Sequence, residues 1–224
     1  MTNYYEKKLS ANKLKRSYQI APLRVKQYLD AELDHVCKKI KASDVLLDLG
    51  CGYGRILPKL AAKASKVIGI DISRASLDLA AELLSDIPNC RLIQMSAINL
   101  DFEDHTFDVV VCIQNGISAF HVDQKDLIEE SIRVTKPGGI ILFSSYSHKF
   151  WQDRLHWFEL QAQHGLLGEI DNEKTQTGII ICKDGFVATT VNDDQFLALS
   201  ANFDVAAKVV EVDESSLFCE IIPH

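Results

Sequence analysis

The chain has 224 residues, 47% apolar and 25% charged, with a formal net charge of -7. That is one domain, or one domain with a small addition, and it has enough apolar material for a full core. The acidic balance argues against a general nucleic-acid binder, no run is long and apolar enough to span a bilayer, and the polar N-terminus lacks a signal-peptide core. The six cysteines, at 37, 51, 90, 112, 182 and 219, form no Cys-x-x-Cys pair. They read as free thiols of a cytoplasmic protein rather than a disulfide framework, and no metal site is expected.

Residues 2–19 are polar and carry Tyr4, Tyr5 and Tyr18 among Lys7, Lys8, Lys13, Lys15 and Arg16. The plain reading is a solvated helix or arm. Pro22 opens a helix expected over 23–40, with Val25, Tyr28, Leu29, Leu33, Val36, Cys37 and Ile40 on its core face. His35 lies off that face and reads as a surface residue.

The run Val45-Leu46-Leu47-Asp48-Leu49-Gly50-Cys51-Gly52-Tyr53-Gly54-Arg55 follows. Its apolar start reads as a buried parallel strand, and its alternating glycines as a turn that admits φ > 0 and close approach. Ile56, Leu57, Leu60, Ala61 and Ala64 then form the apolar side of a helix. Pro58 must lie in its first turn, which places the helix start near Tyr53 to Arg55. Strand, glycine turn and helix make a nucleotide-binding first unit of a doubly wound sheet. The spacing is Gly-x-Gly-x-Gly, not the dinucleotide Gly-x-Gly-x-x-Gly, and Asp48 stands two residues before the first glycine. A carboxylate there repels a pyrophosphate and suits an ammonium. S-adenosylmethionine (SAM) has an ammonium and a sulfonium, and no phosphate.

At these residues the chain resembles the class I SAM-dependent methyltransferases, over roughly residues 45–145. The fold implied is α/β and Rossmann-like: a doubly wound seven-stranded sheet, mostly parallel, with an antiparallel last strand. The implied cofactor is SAM, with Asp48, Gly50, Cys51, Gly52, Tyr53 and Gly54 at its methionine half. The second strand, over 66–73, ends in Asp71, an acid suited to both ribose hydroxyls. The resemblance gives Asp71 that role and lays Ile72 against the adenine. Ser73 is a good N-cap for a helix over 74–85. The third strand, over 91–95, ends at Ser96 where the family usually has an acid for the adenine amine. This is a departure; Asn99, Asp101 or a backbone carbonyl are the substitutes, and the Ala97 N–H is available to a ring nitrogen.

Phe107-Asp108-Val109-Val110-Val111-Cys112-Ile113 matches the family's fourth strand. It sets Gln114 and Asn115 beside the methionine part and the methyl group. No Asn-Pro-Pro-Tyr motif follows, which lowers the case for a nucleobase amine as acceptor. A helix is expected over 126–134, a Lys136-Pro137-Gly138-Gly139 turn, and a fifth strand over 140–144. Beyond Ser147 the resemblance thins. Residues 150–166 hold both tryptophans, Trp151 and Trp157, in a helix that either covers the sheet edge or lids the substrate. A hairpin (178–182 with 186–191, Asp-Gly turn), a helix (193–202) and two strands (205–212 and 216–222) complete the chain. The divisions expected in this single domain are an N-terminal lid region (1–43), a SAM-binding core (44–146), a lid insertion (147–191) and a final helix with strands (192–224).

Methyl transfer from a sulfonium is an in-line displacement with a neutral leaving group, so it needs alignment and exclusion of water but no metal and no covalent nucleophile. A general base is needed only for an acceptor that is protonated at working pH. His121, just past the fourth strand, is the first candidate and Tyr146, past the fifth, the second. Tyr18, Arg24 and Trp151 are candidates for substrate contact, with Tyr4 and Tyr5 beside them. The expected acceptor is a small molecule. Rival readings are a methyltransferase acting on RNA or protein through the basic N-terminal segment, a non-catalytic SAM-binding partner protein, and, last, an NAD-dependent oxidoreductase. The oligomeric state is not legible.

Overall fold

The computed structural model describes residues 9–224, so Tyr4, Tyr5, Lys7 and Lys8 lie outside the described residues. Two helices come first, α1 (Ala11–Gln19) and α2 (Leu23–Cys37). The wound core follows as β1 (Val45–Leu49), α3 (Leu57–Ala61), β2 (Lys66–Asp71), α4 (Arg74–Leu83), β3 (Cys90–Gln94), β4 (Phe107–Cys112), α5 (Gly116–Ala119), α6 (Gln124–Val134) and β5 (Thr135–Tyr146). Then come α7 (Trp151–Gln163), the short hairpin β6 (Ile180–Ile181) and β7 (Val187–Ala188), α8 (Asp193–Ser200), β8 (Val205–Val212) and β9 (Ser216–Pro223).

Seven strands form one sheet in the order β3-β2-β1-β4-β5-β9-β8. β1 to β5 run parallel, and β9 lies antiparallel to both β5 and β8. This is the expected Rossmann-like sheet with its antiparallel last strand. Alternate residues of each central strand feed opposite faces. Leu47, Val110, Cys112, Ile141 and Phe143 pack under α6 and α8, with Leu127, Ile128 and Phe196. Leu46, Val67, Val109, Val111 and Leu142 pack under α2, α3 and α4, with Leu33, Leu57, Leu60 and Ala80. Strands covered on both faces must be apolar almost throughout, which is why they read as unbroken hydrophobic runs. A third cluster joins α2 to α7 and the hairpin through Tyr28, Tyr146, Phe150, Phe158 and Phe186.

Two expectations need correction. The helix after the glycines starts at Leu57, not near Tyr53 to Arg55, because Gly50, Gly52 and Gly54 all hold positive φ (74°, 55° and 80°) and keep the chain out of helix until then. Lys136-Pro137-Gly138-Gly139 is not a separate turn before β5. It lies inside that strand, where the pairing with β4 jumps from Phe107↔Thr135 to Val109↔Ile140, an irregularity that absorbs the extra residues. Asp108 secures this end of the sheet. Its carboxylate accepts from the Val45 N–H (2.9 Å) and from Lys136 Nζ (2.8 Å).

Candidate active site

The order of the sheet reverses between β1 and β4, where open α/β sheets bind ligands at their carboxyl ends. A cavity of about 230 Å³ lies there. The tips of all five parallel strands reach it: Gly50 and Gly52 after β1, Asp71 and Ile72 after β2, Ser96 and Ala97 after β3, Gln114 after β4, and Tyr146 from β5. A smaller adjoining cavity is walled by Asp48, Cys51, Tyr53 and Arg55, and shares Gly50, Gly52, Tyr18 and Gln114 with the first.

The roof comes from α1 and α7. The α1 backbone N–H of Ala11 donates to Ser76 Oγ at 3.0 Å, and Trp157 Nε1 of α7 donates to the Ser17 carbonyl at 2.9 Å. The Tyr18 hydroxyl donates to Gln114 Oε1 at 2.7 Å. Lys13, Lys15 and Arg16 face outward on the same helix, so α1 is a wet helix outside and a lid inside. Trp157, Phe158 and Gln161 give α7 its place in the cavity wall, which favours the lid over the edge-cover reading.

The electrostatics are uneven. Asp48 is 2% exposed, and its Oδ2 has no hydrogen-bond partner among the described residues. Burial first, then the charge of Asp71, pushes its carboxyl up to about 8, while Arg55 draws it down. Among the described residues the buried Arg55 Nη2 has no hydrogen-bond partner, and the guanidinium sits 4.7 Å from the centre of the Tyr18 ring. A carboxylate and a guanidinium thus flank one small cavity, each with an unmatched atom. Such a pair is complementary to a zwitterion, the ammonium meeting Asp48 and the carboxylate meeting Arg55, so the residues present fit the amino-acid end of SAM. Asp71 is anchored from below, its Oδ2 accepting from the Gly52 N–H (2.9 Å) and its Oδ1 from the Ser73 N–H (2.8 Å). Carboxylate oxygens so held keep lone pairs for hydroxyl donors. The Cys51 thiol is pushed well up by burial and by Asp48 and Asp71, which leaves it protonated and inert.

Not every expected residue reaches the cavity. Asn115 is buried but turned away, its Nδ2 donating to the Thr189 carbonyl (2.9 Å) and its Oδ1 accepting from Ser145 Oγ (2.7 Å). His121 is exposed and outside the wall, so the first base candidate is not brought to the site. Arg24 is bound to Asp213 at 2.6 Å, and Trp151 packs 5.9 Å from the Arg154 guanidinium; neither lines the cavity. Asn99 and Asp101 are exposed and do not line it either, leaving Ser96 and the Ala97 backbone at the tip of β3. Tyr18 and Tyr146 do line it.

Sequence reasoning missed three residues. Trp157 takes the place expected of Trp151. Arg55 was visible directly after the last glycine. Glu32 is fully buried in α2, and its signal was a carboxylate lying in the stripe of Tyr28, Leu29, Leu33 and Val36. Its Oε2 accepts from the Gln114 N–H (2.9 Å), and its Oε1 accepts from the Ser216 hydroxyl.

Comparison with known proteins bears on the fold and the family. Residues 46–139 match the family described as the methyltransferase domain. The malonyl-[acyl-carrier protein] O-methyltransferase of Marinomonas sp. is 31% identical over 146 residues, 58% of this chain and 52% of that protein. The demethylmenaquinone methyltransferase of Staphylococcus saprophyticus is 34% identical over 107 residues, 46% of this chain and 45% of that one. The chain thus spans about half the length of the curated relatives it matches. The PH0226 protein of Pyrococcus horikoshii superposes with a TM-score of 0.67 at 21% identity, covering 100% of both chains, a likeness of fold. No described helix is long and apolar enough to cross a membrane. With the glycine loop and most of the parallel core inside the matched segment, residues 46–139 are similar to the methyltransferase domain, and that match supports SAM as the cofactor.

Proposed function

We propose that the chain transfers the methyl group of SAM to a small-molecule acceptor. The observation that carries this reading is one continuous cavity, partly covered by α1 and α7, that runs from Asp71 at one end to Tyr146 and Trp157 at the other. A macromolecular acceptor needs a broad open approach to the methyl group, and α1 and α7 narrow it by lining the cavity.

When bound, SAM supplies an electrophilic methyl on a sulfonium. The residues divide the remaining work. Asp48 and Arg55 hold the amino-acid end by opposite charges. Asp71 takes the ribose hydroxyls, and Ile72, Ser96 and the Ala97 N–H take the adenine. Gln114, fixed by Glu32 below and by Tyr18 above, borders the methyl end. Tyr18, Trp157 and Phe158 orient the acceptor and keep water out.

The test is transfer of isotope from methyl-labelled SAM into a cell extract separated by size. Label in the small-molecule fraction supports the reading. Label confined to RNA or protein overturns it.

A further inference from the structure

The wall of the cavity away from Asp71 is made by Tyr18, Gln114, Tyr146, Trp157, Phe158 and Gln161, and none of these carries a charge at neutral pH. Asp48 and Arg55 face the adjoining cavity assigned to the amino-acid end of SAM, and three other charged side chains nearby are engaged. Arg154 donates to the carbonyls of Gly178 (3.2 Å), Ala188 (3.1 Å) and Thr189 (3.3 Å), Arg24 pairs with Asp213, and Glu32 holds Gln114 and Ser216. A charged acceptor entering here would lose its hydration with no counter-charge from the wall. A flat ring is matched. Tyr18 and Trp157 lie with centroids 5.9 Å apart and planes tilted by 48°, and Trp157 meets Phe158 edge to face at 5.9 Å.

Among the described residues, the same wall has no imidazole, amine or carboxylate to take a proton. His121 is exposed and outside it, and Asp71 stands at the opposite end. An oxygen or sulfur acceptor that must ionise before it attacks therefore gets no base from the described wall. A thiol, with an ordinary value of about 8.5, can ionise without one, as can a hydroxyl acidified by a conjugated ring; an aliphatic hydroxyl cannot.

We propose that the acceptor is a flat aromatic or conjugated molecule, uncharged apart from its attacking atom, and that this atom is a thiol sulfur or a ring-acidified hydroxyl oxygen. The proposal rests on the small-molecule reading above. The proton leaves to solvent first. The sulfur or oxygen lone pair then forms the bond to the methyl carbon, the carbon–sulfonium bond breaks with its pair kept on sulfur, and a neutral thioether departs. The one charge the acceptor carries faces the sulfonium and is cancelled in the step.

The probes are thiophenol, benzyl alcohol (the ring without a self-ionising atom) and mercaptoacetate (a thiol without the ring and with an added charge). Binding is read from tryptophan fluorescence in the full chain saturated with S-adenosylhomocysteine. A Trp151→Phe variant leaves Trp157 as the sole tryptophan. The expected result is quenching by thiophenol at concentrations at least about tenfold below mercaptoacetate, and label from methyl-labelled SAM on thiophenol but not on benzyl alcohol. Equal or tighter binding of mercaptoacetate, or equal labelling of benzyl alcohol, overturns the proposal. In the extract experiment, a small labelled product that is aliphatic or multiply charged overturns this proposal and leaves the small-molecule reading standing. Label on macromolecules alone overturns both.

Discussion

The backbone N–H of Gln114 donates to Glu32 Oε2 at 2.9 Å, so a fully buried carboxylate from α2 fixes the tip of β4. That tip is strained. Gln114 and Asn115 hold φ of 57° and 63°, a left-handed pair without glycine. Such residues persist only where their surroundings over-determine them. Glu32→Ala leaves the Gln114 N–H and the Ser216 hydroxyl without their acceptor and should cost roughly 2–4 kcal/mol in denaturant unfolding. Because Glu32 acts through Gln114, kcat should fall more than SAM affinity, and Glu32→Gln, which keeps an acceptor oxygen, should restore part of kcat. Equal losses in kcat and SAM affinity, with no rescue, would show a purely structural role.

Stability of the ligand-free protein should fall as pH rises from about 4 to 8 on account of two groups. Burial pushes Glu32 up to about 7 and Asp48 up to about 8 from ordinary values of 4.5 and 3.8. Below their ordinary values both are protonated in folded and unfolded chains alike. As pH rises, the unfolded chain releases these protons first, so Glu32 withdraws on the order of 3 kcal/mol and Asp48 on the order of 5 kcal/mol before the folded forms ionise. Asp48→Asn should remove its share, and thermal melts across pH should show the variant gaining on the wild type toward pH 8. A constant difference between the two curves would contradict this.

Gly50 has φ of 74°, and a Cβ built on it would lie 2.4 Å from the Phe120 ring. Gly50→Ala should cost roughly 1–3 kcal/mol from the backbone conformation and more from the clash. Adding Phe120→Ala should recover the clash component alone, which a double-mutant cycle read by urea unfolding will measure as a coupling between the two sites.

Tyr18→Phe removes the hydroxyl donated to Gln114 and keeps the ring against Trp157 and over Arg55. Stability should change by about 1 kcal/mol or less, while amide exchange in α1 should quicken and the acceptor KM should rise. Unchanged exchange in α1 would show that the bond does not hold the lid.

Much of the fold was legible because its causes are local or periodic. Doubly covered strands must be apolar runs, and Asp48, the three glycines and Asp71 stand at strand tips where ligands bind. What was not legible depended on distant partners. Glu32 lies one helix away from the tip it holds. His121 reads as a base from its position after β4, yet the short turn of α5 carries it outward. Trp151 and Trp157 share one helix, and only packing against Ser17 and Tyr18 determines which of them faces inward. The Lys136–Gly139 segment has every mark of a turn, and it sits as an unpaired irregularity inside β5, between Thr135 and Ile140, which both pair with β4.

The most direct test of the central claim is calorimetric titration of SAM into the full chain, its Asp48→Asn variant and its Asp71→Asn variant. The structure predicts binding at a single site, weakened about tenfold or more in each variant. Absence of binding to the wild-type chain, or affinities unchanged by both substitutions, would contradict the placement of SAM across the tips of β1 and β2.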